Sequence, residues 1–192
     1  MAEPTHRPEK GRARLLERMV RSPLNYWGGF LLDGGVSLVF IAAGLRQSPV
    51  PWLARGAFLG AGCCAYTFIE YAVHRWIYHG RRESVSRLHT EHHLHPRRLI
   101  GAPVFFQVGI CVAVWMLTAF AVGRSSAALF SGSALLGAVV HGALHHLMHS
   151  GGIRVEGLLG DLKRHHFLHH SDASRNFGVT TTFWDHLLGT RG

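Results

Sequence analysis

Charged residues are scarce in this chain, and acidic residues are the scarcest of them. Only 16% of its 192 residues are Asp, Glu, Lys or Arg, against about 25% in typical soluble domains, while hydrophobic residues make up 47%. The 20 Lys and Arg outnumber the 11 Asp and Glu, which gives a formal net charge of +9. The length suits one domain. This composition argues against an ordinary soluble domain, because apolar and charged residues must be separated along the chain.

Cysteine offers no framework for folding or for metal binding. The three cysteines, Cys63, Cys64 and Cys111, all lie in apolar runs and form no Cys-x-x-Cys pair. The pattern therefore supports neither a disulfide scaffold nor a thiolate zinc site. Any metal chemistry must rest on histidine, of which the chain has 16.

Four apolar stretches are long enough to cross a bilayer, since each approaches the ~20 residues that a spanning helix needs. Only Asp33, Arg55 and Glu70 carry charge within them. The first stretch is too long for a cleavable signal. The sequence predicts an all-α integral membrane protein with four transmembrane helices. These cover approximately Leu24–Leu45, Trp52–Val73, Ala102–Val122 and Ala127–Met148.

The distribution of Lys and Arg predicts the orientation. Six precede the first stretch, six lie in residues 75–100 and five follow residue 149, whereas three lie near the opposite side. This asymmetry is that of the positive-inside rule. We expect both termini in the cytoplasm, a basic tail over residues 1–23, and a single membrane-embedded domain over residues 24–192 with a cytoplasmic helical cap. The excess of Arg then faces anionic lipid headgroups, and nucleic acid is not expected as a partner.

Ten of the histidines fall into four groups with helical spacing. A helix advances about 100° per residue, so each group could direct its imidazoles from one helix toward a common point. Imidazole is the commonest metal ligand, and one ion takes at most about six ligands. Ten histidines therefore predict two metals side by side. The groups are His74 and His79; His89, His92 and His93; His145 and His149; and His166, His169 and His170.

Two of these groups carry a condition or an alternative. His74 and His79 diverge by about 140° on an ideal helix, so their helix must bend or end between them. His141 lies one turn before His145, so His141/His145 could replace His145/His149. A buried polar residue at that depth in a membrane is costly and commonly functional. Neutral imidazoles suit iron, copper, zinc or nickel.

The neighbours of these histidines resemble the signatures of the fatty acid hydroxylase (sterol desaturase) superfamily. The resemblance covers residues 60–190 in the family's order, is nearest to the fatty acid and sphingolipid 2-hydroxylases, and favours His145/His149 as the third pair. The matching segments are Glu70–His79, which follows the pattern Glu-Tyr-x-x-His-Arg-x-x-x-His, then Leu88–His93, His145–Gly151, Leu162–His170 and the closing Asn176–Thr190.

This resemblance implies a non-haem dimetal oxidoreductase of the membrane that hydroxylates a lipid acyl chain with O2. It implies two iron ions as cofactors, with zinc as the ion that a purified sample can acquire, and the ten histidines as ligands. The sequence has no His-Pro-Gly-Gly haem motif. We therefore expect electrons from a separate donor, a ferredoxin or a cytochrome b5-like protein.

Two alternative functions stay open. Within the enzyme class, the same oxidant would serve a desaturase or hydroxylase of a sterol or carotenoid. Outside it, the chain would be a membrane protein that binds or transports metal. Transport is less favoured, because the far half of the predicted spans is almost wholly apolar beyond Asp33.

Four further features carry expectations of their own. The 2-hydroxylase branch has Tyr-Asp where this chain has His141-Gly142, so His141 is expected to act in the substrate pocket or beside a ligand. Glu70 is expected either to accept a hydrogen bond from the N–H of a ligand imidazole or to pair with a neighbouring Arg. Gly178–Trp184 is expected to form an extended strip that packs the cap. A basic cluster is expected to face lipid headgroups, with an acidic electron donor as the alternative; it comprises Arg75, Arg81, Arg82 and Arg87.

Overall fold

A computed structural model describes residues 15–81, 83–150 and 156–192, except the side chains of residues 83 and 84. Residues 1–14 of the expected basic tail and Arg82 of the basic cluster lie outside the described residues. The regular elements of the described part are helices. They are α1 (Pro23–Gln47), α2 (Trp52–Val73) with a π-helical continuation (His74–Tyr78), α3 (Glu83–Leu94), α4 (Phe106–Val122), α5 (Arg124–His149), α6 (Gly157–Ser171) and α7 (Phe183–Leu187).

Among the described residues, three helices are long and apolar enough to cross a membrane. They are α1, α2 with its π-helical continuation, and α5. The predicted all-helical, multi-pass membrane protein is thereby confirmed. The remaining apolar helix, α4, has only 17 residues, and the stretch predicted from Ala102 begins as a helix only at Phe106.

The late start of α4 has a local cause. The Asn25 side chain donates to the Ala102 carbonyl at 2.8 Å and accepts the Val104 N–H at 2.9 Å. The Gly101 N–H donates to the Val20 carbonyl at 2.9 Å. These bonds take backbone groups of residues 101–104 away from the helical pattern, and Pro103 disfavours helical geometry in the residue before it. The segment before α4 is thus fixed to the start of α1.

Helix α5 is the centre of the bundle and packs against α1, α2 and α4. Small residues let the backbones approach closely, as is common between membrane helices. A Cβ on Gly62 of α2 would lie 2.2 Å from the Phe130 carbonyl oxygen of α5. The Ser37 hydroxyl of α1 donates to the Gly132 carbonyl of α5 at 2.9 Å. This packing fixes where the histidine-bearing ends of α2 and α5 lie.

A π-helical turn provides the bend that His74 and His79 require. The His79 N–H donates to the His74 carbonyl at 3.2 Å, which is the i→i+5 pattern of a π-helix. This turn is wider than an α-helical one, so two residues five apart return to one face. The ring centroids of the two histidines are 5.2 Å apart.

Candidate metal centre

The ten histidines selected by their spacing lie in two groups of five. In each group, one ring nitrogen of every member lies within 4.8 Å of the corresponding nitrogens of the other four. The groups touch each other, because the His93 and His170 rings stack with their centroids 4.3 Å apart. Group 1 comprises His74, His79, His89, His93 and His169, and group 2 comprises His92, His145, His149, His166 and His170.

Both histidine triads are divided between the groups. On α3, His89 and His93 belong to group 1 and His92 to group 2. On α6 the assignment is reversed, with His169 alone in group 1. The expectation that each triad points to one common point is therefore wrong. A triad covers an arc of about 100°, which is wide enough for its members to reach the two groups on either side.

The nitrogen separations fit donors arranged around one ion. In group 1 the His89 Nε2 lies 3.0 Å from the Nε2 atoms of His74 and of His79. In group 2 the His166 Nε2 lies 2.8 Å from that of His149 and 3.1 Å from that of His170. Two nitrogens bound at right angles about 2.1 Å from a metal are about 3.0 Å apart. Each group could hold a metal ion.

The hydrogen bonds of the rings fit the same role. His74 Nδ1 donates to the Phe177 carbonyl at 2.5 Å, and His169 Nδ1 donates to the Arg175 carbonyl at 2.6 Å. Such bonds fix the tautomer that leaves Nε2 free for a metal. The His92 Nε2 is buried and has no hydrogen-bond partner in the described part of the chain. An unpaired buried nitrogen is costly, and a bound cation would remove that cost.

Four imidazoles that lie outside the spanning helices are held neutral. Burial, together with repulsion between neighbouring rings, lowers the pKa of both His92 and His93 to about 3. The same causes lower the pKa of His79 and His170 to about 4. Metal ligands must be deprotonated, so at neutral pH these side chains are ready to bind.

Glu70 supports the site in a way that the sequence did not predict. Its buried carboxylate accepts the N–H groups of Val179 and Thr180 at 2.5 and 3.0 Å, and also the Thr180 hydroxyl. Both expectations for Glu70 are wrong, because it bonds neither a ligand imidazole nor an Arg among the described contacts. It fixes the backbone just beyond Phe177, whose carbonyl accepts a hydrogen bond from His74 Nδ1.

Asp185 is a second support for the same backbone. It is fully buried and accepts the N–H groups of Phe177 and Gly178 at 2.8 Å each. It also accepts hydrogen bonds from His165 Nε2 at 3.0 Å and from the Thr190 hydroxyl at 2.7 Å. Burial alone would raise the pKa of Asp185, but these hydrogen bonds lower it. Spacing alone missed Asp185 and His165; Asp185 lies in the closing segment Asn176–Thr190 that resembles the family signature.

A chain of hydroxyls connects this support to α2. Because the Thr190 hydroxyl donates to Asp185, it accepts a hydrogen bond from the Tyr71 hydroxyl at 2.9 Å. Arg75 in turn donates to the Tyr71 hydroxyl at 2.8 Å. These hydrogen bonds run in one direction from Arg75 to Asp185 and tie the closing segment to the helix that carries His74.

The closing segment packs along α2 but is not extended throughout. Residues 178–182 are irregular, and Phe183–Leu187 forms the short helix α7, so the extended strip is wrong for its second part. Trp184 Nε1 donates to the Thr67 hydroxyl at 3.0 Å.

The other histidines lie outside both groups. His141 Nδ1 lies 3.4 Å from a Glu70 carboxylate oxygen, and its ring stacks on His145 at 5.8 Å. His146 Nδ1 lies 3.2 Å from the Tyr26 hydroxyl. His95 and His186 are exposed, while His6 lies outside the described residues.

Comparisons with known proteins agree with this arrangement. The sequence model of the fatty acid hydroxylase family matches residues 59–190. The dihydroceramide fatty acyl 2-hydroxylase FAH2 of Arabidopsis thaliana is 28% identical over 145 residues, which are 70% of this chain and 60% of that protein. The fatty acid 2-hydroxylase of Mus musculus is 29% identical over 163 residues, which are 77% of this chain and 44% of that protein. The chain thus spans about half the length of these relatives.

A solved structure has the same fold. It is that of full-length scs7p, in which only the hydroxylase domain is visible. The TM-score is 0.72 at 23% sequence identity, and the match covers 92% of this chain and 69% of that one.

Asp185→Asn tests the support of group 1. The amide cannot accept all four donors, so the Phe177 carbonyl should lose its position against His74. We expect metal affinity to fall about 10- to 100-fold, as is typical when a partner of a ligand is lost, measured by Co²⁺ titration followed in the visible spectrum. The control is Asp161→Asn, since Asp161 is exposed and lies 3.9 Å from Arg164. Unchanged Co²⁺ affinity in Asp185→Asn would contradict this role.

The pH dependence of the metal-free protein tests the neutral state of the rings. Unfolded histidines bind protons below about pH 6.5, whereas folded His92 does not until about pH 3. The free energy of unfolding should therefore fall with pH below about 6.5, by about 1 kcal/mol for His92 alone between about pH 7.5 and 5.5. Thermal melting followed by circular dichroism should show a lower Tm at the lower pH. A Tm that is constant or rises would refute the expectation.

Proposed function

The chain belongs to the fatty acid hydroxylase family, in the 2-hydroxylase branch, and on this basis we propose that it is a membrane-bound oxygenase that hydroxylates the acyl chain of a lipid. The observation that carries the proposal is the pair of five-histidine groups at the ends of the spanning helices α2 and α5. The names of the relatives point to fatty acids and dihydroceramides as the substrate class.

We propose that each group holds one iron ion, with zinc as the ion acquired during purification and O2 as the co-substrate. The bound metals would supply the oxidising power that cleavage of a methylene C–H bond requires, since that bond offers a base or nucleophile neither acidity nor polarity. The ten histidines are the proposed ligands, and their low pKa values outside the spans support this role.

The protein itself orients the ligand side chains and excludes bulk water from them. The carbonyls of Phe177 and Arg175 orient the His74 and His169 rings. Burial of His74, His166 and His169 to 5% exposure or less keeps bulk water from the ligands. The acyl chain would arrive from the bilayer along the apolar helices, while the cap formed by α3, α6 and α7 covers the site.

For the membrane arrangement, we propose four spans with α4 as the third. At 1.5 Å per residue, the 17 residues of α4 extend about 26 Å, close to the ~30 Å hydrocarbon core. The distribution of Lys and Arg supports a cytoplasmic location for the cap, the metal site and both termini. Residues 24–192 would form one domain after the tail of residues 1–23. A separate ferredoxin or cytochrome b5-like protein would deliver electrons from the same side.

For Glu70 and His141 we propose different roles. Glu70 holds the backbone of the closing segment, as its three hydrogen bonds indicate. His141 is the proposed pocket residue, because it lies beside His145, its ring is 6.2 Å from that of Tyr66, and 27% of its side chain remains exposed.

Loss of either group tests the enzymatic function. Lipids of a host that expresses the wild-type chain should gain hydroxylated acyl chains, measured by mass spectrometry. His92→Ala and His169→Ala should each reduce that product at least about 100-fold, whereas His186→Ala should not. A changed number of double bonds would instead favour desaturation of the acyl chain, a sterol or a carotenoid. Unchanged lipids with reduced metal tolerance would indicate a metal-binding protein.

Replacement of His141 tests the proposed pocket. His141→Ala should change the preference among acyl chains or the hydroxylated carbon by about tenfold, because small displacements of a substrate alter reactivity strongly. Product analysis by mass spectrometry measures the change, and metal content should stay at the wild-type value. His141→Gln, which keeps a polar group beside Glu70, should retain more of the original selectivity. Loss of metal without altered selectivity would make His141 a ligand or support instead.

A further inference from the structure

A basic pocket lies outside both histidine groups. It is an open depression of about 660 Å³ between the end of the second spanning helix and the outer side of α3. Its polar lining combines guanidinium groups with hydroxyls, which are donors suited to an anion. The polar and charged residues that line it include Arg81, Ser86, Arg87, Thr90, Glu91 and Arg98.

The charged α3 residues of the pocket lie on the face of that helix opposite to His89. At about 100° per residue, Arg87, Glu91 and Leu94 point about 140–200° away from His89. His92 and His93 remain on the side of His89. No residue that lines the pocket belongs to either histidine group, so the pocket is a distinct site.

The charges of the pocket do not cancel. Glu91 is the acidic member, and Arg21 at 2.6 Å and Arg98 at 2.9 Å already bind its carboxylate. Arg87 is 69% exposed and lies 3.5 Å from Glu17. Arg81 is exposed, and no carboxylate of the described side chains lies within ion-pair distance of it. The pocket is left with an excess of positive charge.

The location of the pocket indicates the source of the anion. The second spanning helix ends at Tyr78, and the lining of the pocket begins two residues later at Gly80. Leu94, which also lines it, is 71% exposed, and the neighbouring Trp76 is 56% exposed. Tryptophan at such a position is typical of the boundary between membrane and water. The pocket thus combines an apolar rim with basic groups at the level of lipid headgroups.

We propose that this pocket binds the phosphate of an anionic membrane lipid. Arginine matches the geometry of phosphate oxygens with paired hydrogen bonds, and basic pockets at span ends bind phosphate-bearing headgroups. A protein partner is less suited to the site, since a stable protein interface needs about 800 Å² on each side. The binding does not depend on the proposed function, because it involves no histidine of groups 1 and 2.

The test is the composition of the lipid that the full chain retains. The purified protein is reconstituted into vesicles of phosphatidylcholine and phosphatidylglycerol, re-extracted in mild detergent and analysed by native mass spectrometry. Phosphatidylglycerol should be enriched over its share in the vesicles, and Arg81→Gln with Arg87→Gln should lower this enrichment about tenfold. The control, Arg164→Gln with Arg191→Gln, removes the same charge from the cap elsewhere and should keep it.

Further arms separate the alternatives. Arg81→Gln alone, which removes no described ion pair, should lower the enrichment even if loss of the Arg87–Glu17 contact unfolds the double variant. Equal enrichment in the wild type and in folded pocket variants would overturn the proposal, as would equal loss in the control.

Displacement of the lipid by inorganic phosphate at equal concentration would show a site for free phosphate. Unchanged lipid with a raised KM for reduced ferredoxin would show a protein-docking surface. Metal content and acyl hydroxylation report separately on the proposed function.

Discussion

Nitrogen lone pairs at a separation of 3.0 Å repel each other unless a proton or a cation lies between them, and the rest of this structure depends on that constraint. A second proton is not available to the buried rings, because burial lowers the pKa of His92, His93 and His170 far below neutrality, and the single N–H of a neutral ring can serve only one of its nitrogen neighbours. The imidazoles therefore contribute little to their own assembly in the absence of a metal. The surrounding protein must hold them in position, and most of the described polar contacts near the site serve this purpose.

Two buried carboxylates, which belong to neither histidine group, help to hold the imidazoles in position. Glu70 and Asp185 each accept backbone N–H groups of residues 177–180, and each also accepts a side-chain proton. Burial of a charge is costly unless hydrogen bonds compensate it, and three or four donors do so here. Because both carboxylates are directed at the backbone, the ten histidines remain a neutral donor set. The positive charge of any bound metal would then be retained near the substrate.

Local patterns in the sequence predicted the elements and the ten histidines, whereas the partners of these residues depended on distant contacts. Hydropathy located α1, α2 and α5, and spacing selected the histidines that meet. The division of the triads could not be predicted, since it depends on how α3 and α6 lie relative to each other. Glu70 meets residues more than 100 positions away, which no local pattern reports. The start of α4 likewise depends on Asn25, a residue of another helix.

The divided triads also connect the two histidine groups mechanically. Each cap helix contributes to both groups: α3 gives His92 to one and His89 with His93 to the other, and α6 does the reverse. A displacement of either helix would therefore alter both groups at once, and neither group can form with only one cap helix in place. The outer face of α3 carries the basic pocket, and its carboxylate Glu91 is bound to Arg21, just before α1. The position of three histidines is thus tied directly to the residue that precedes the first spanning helix.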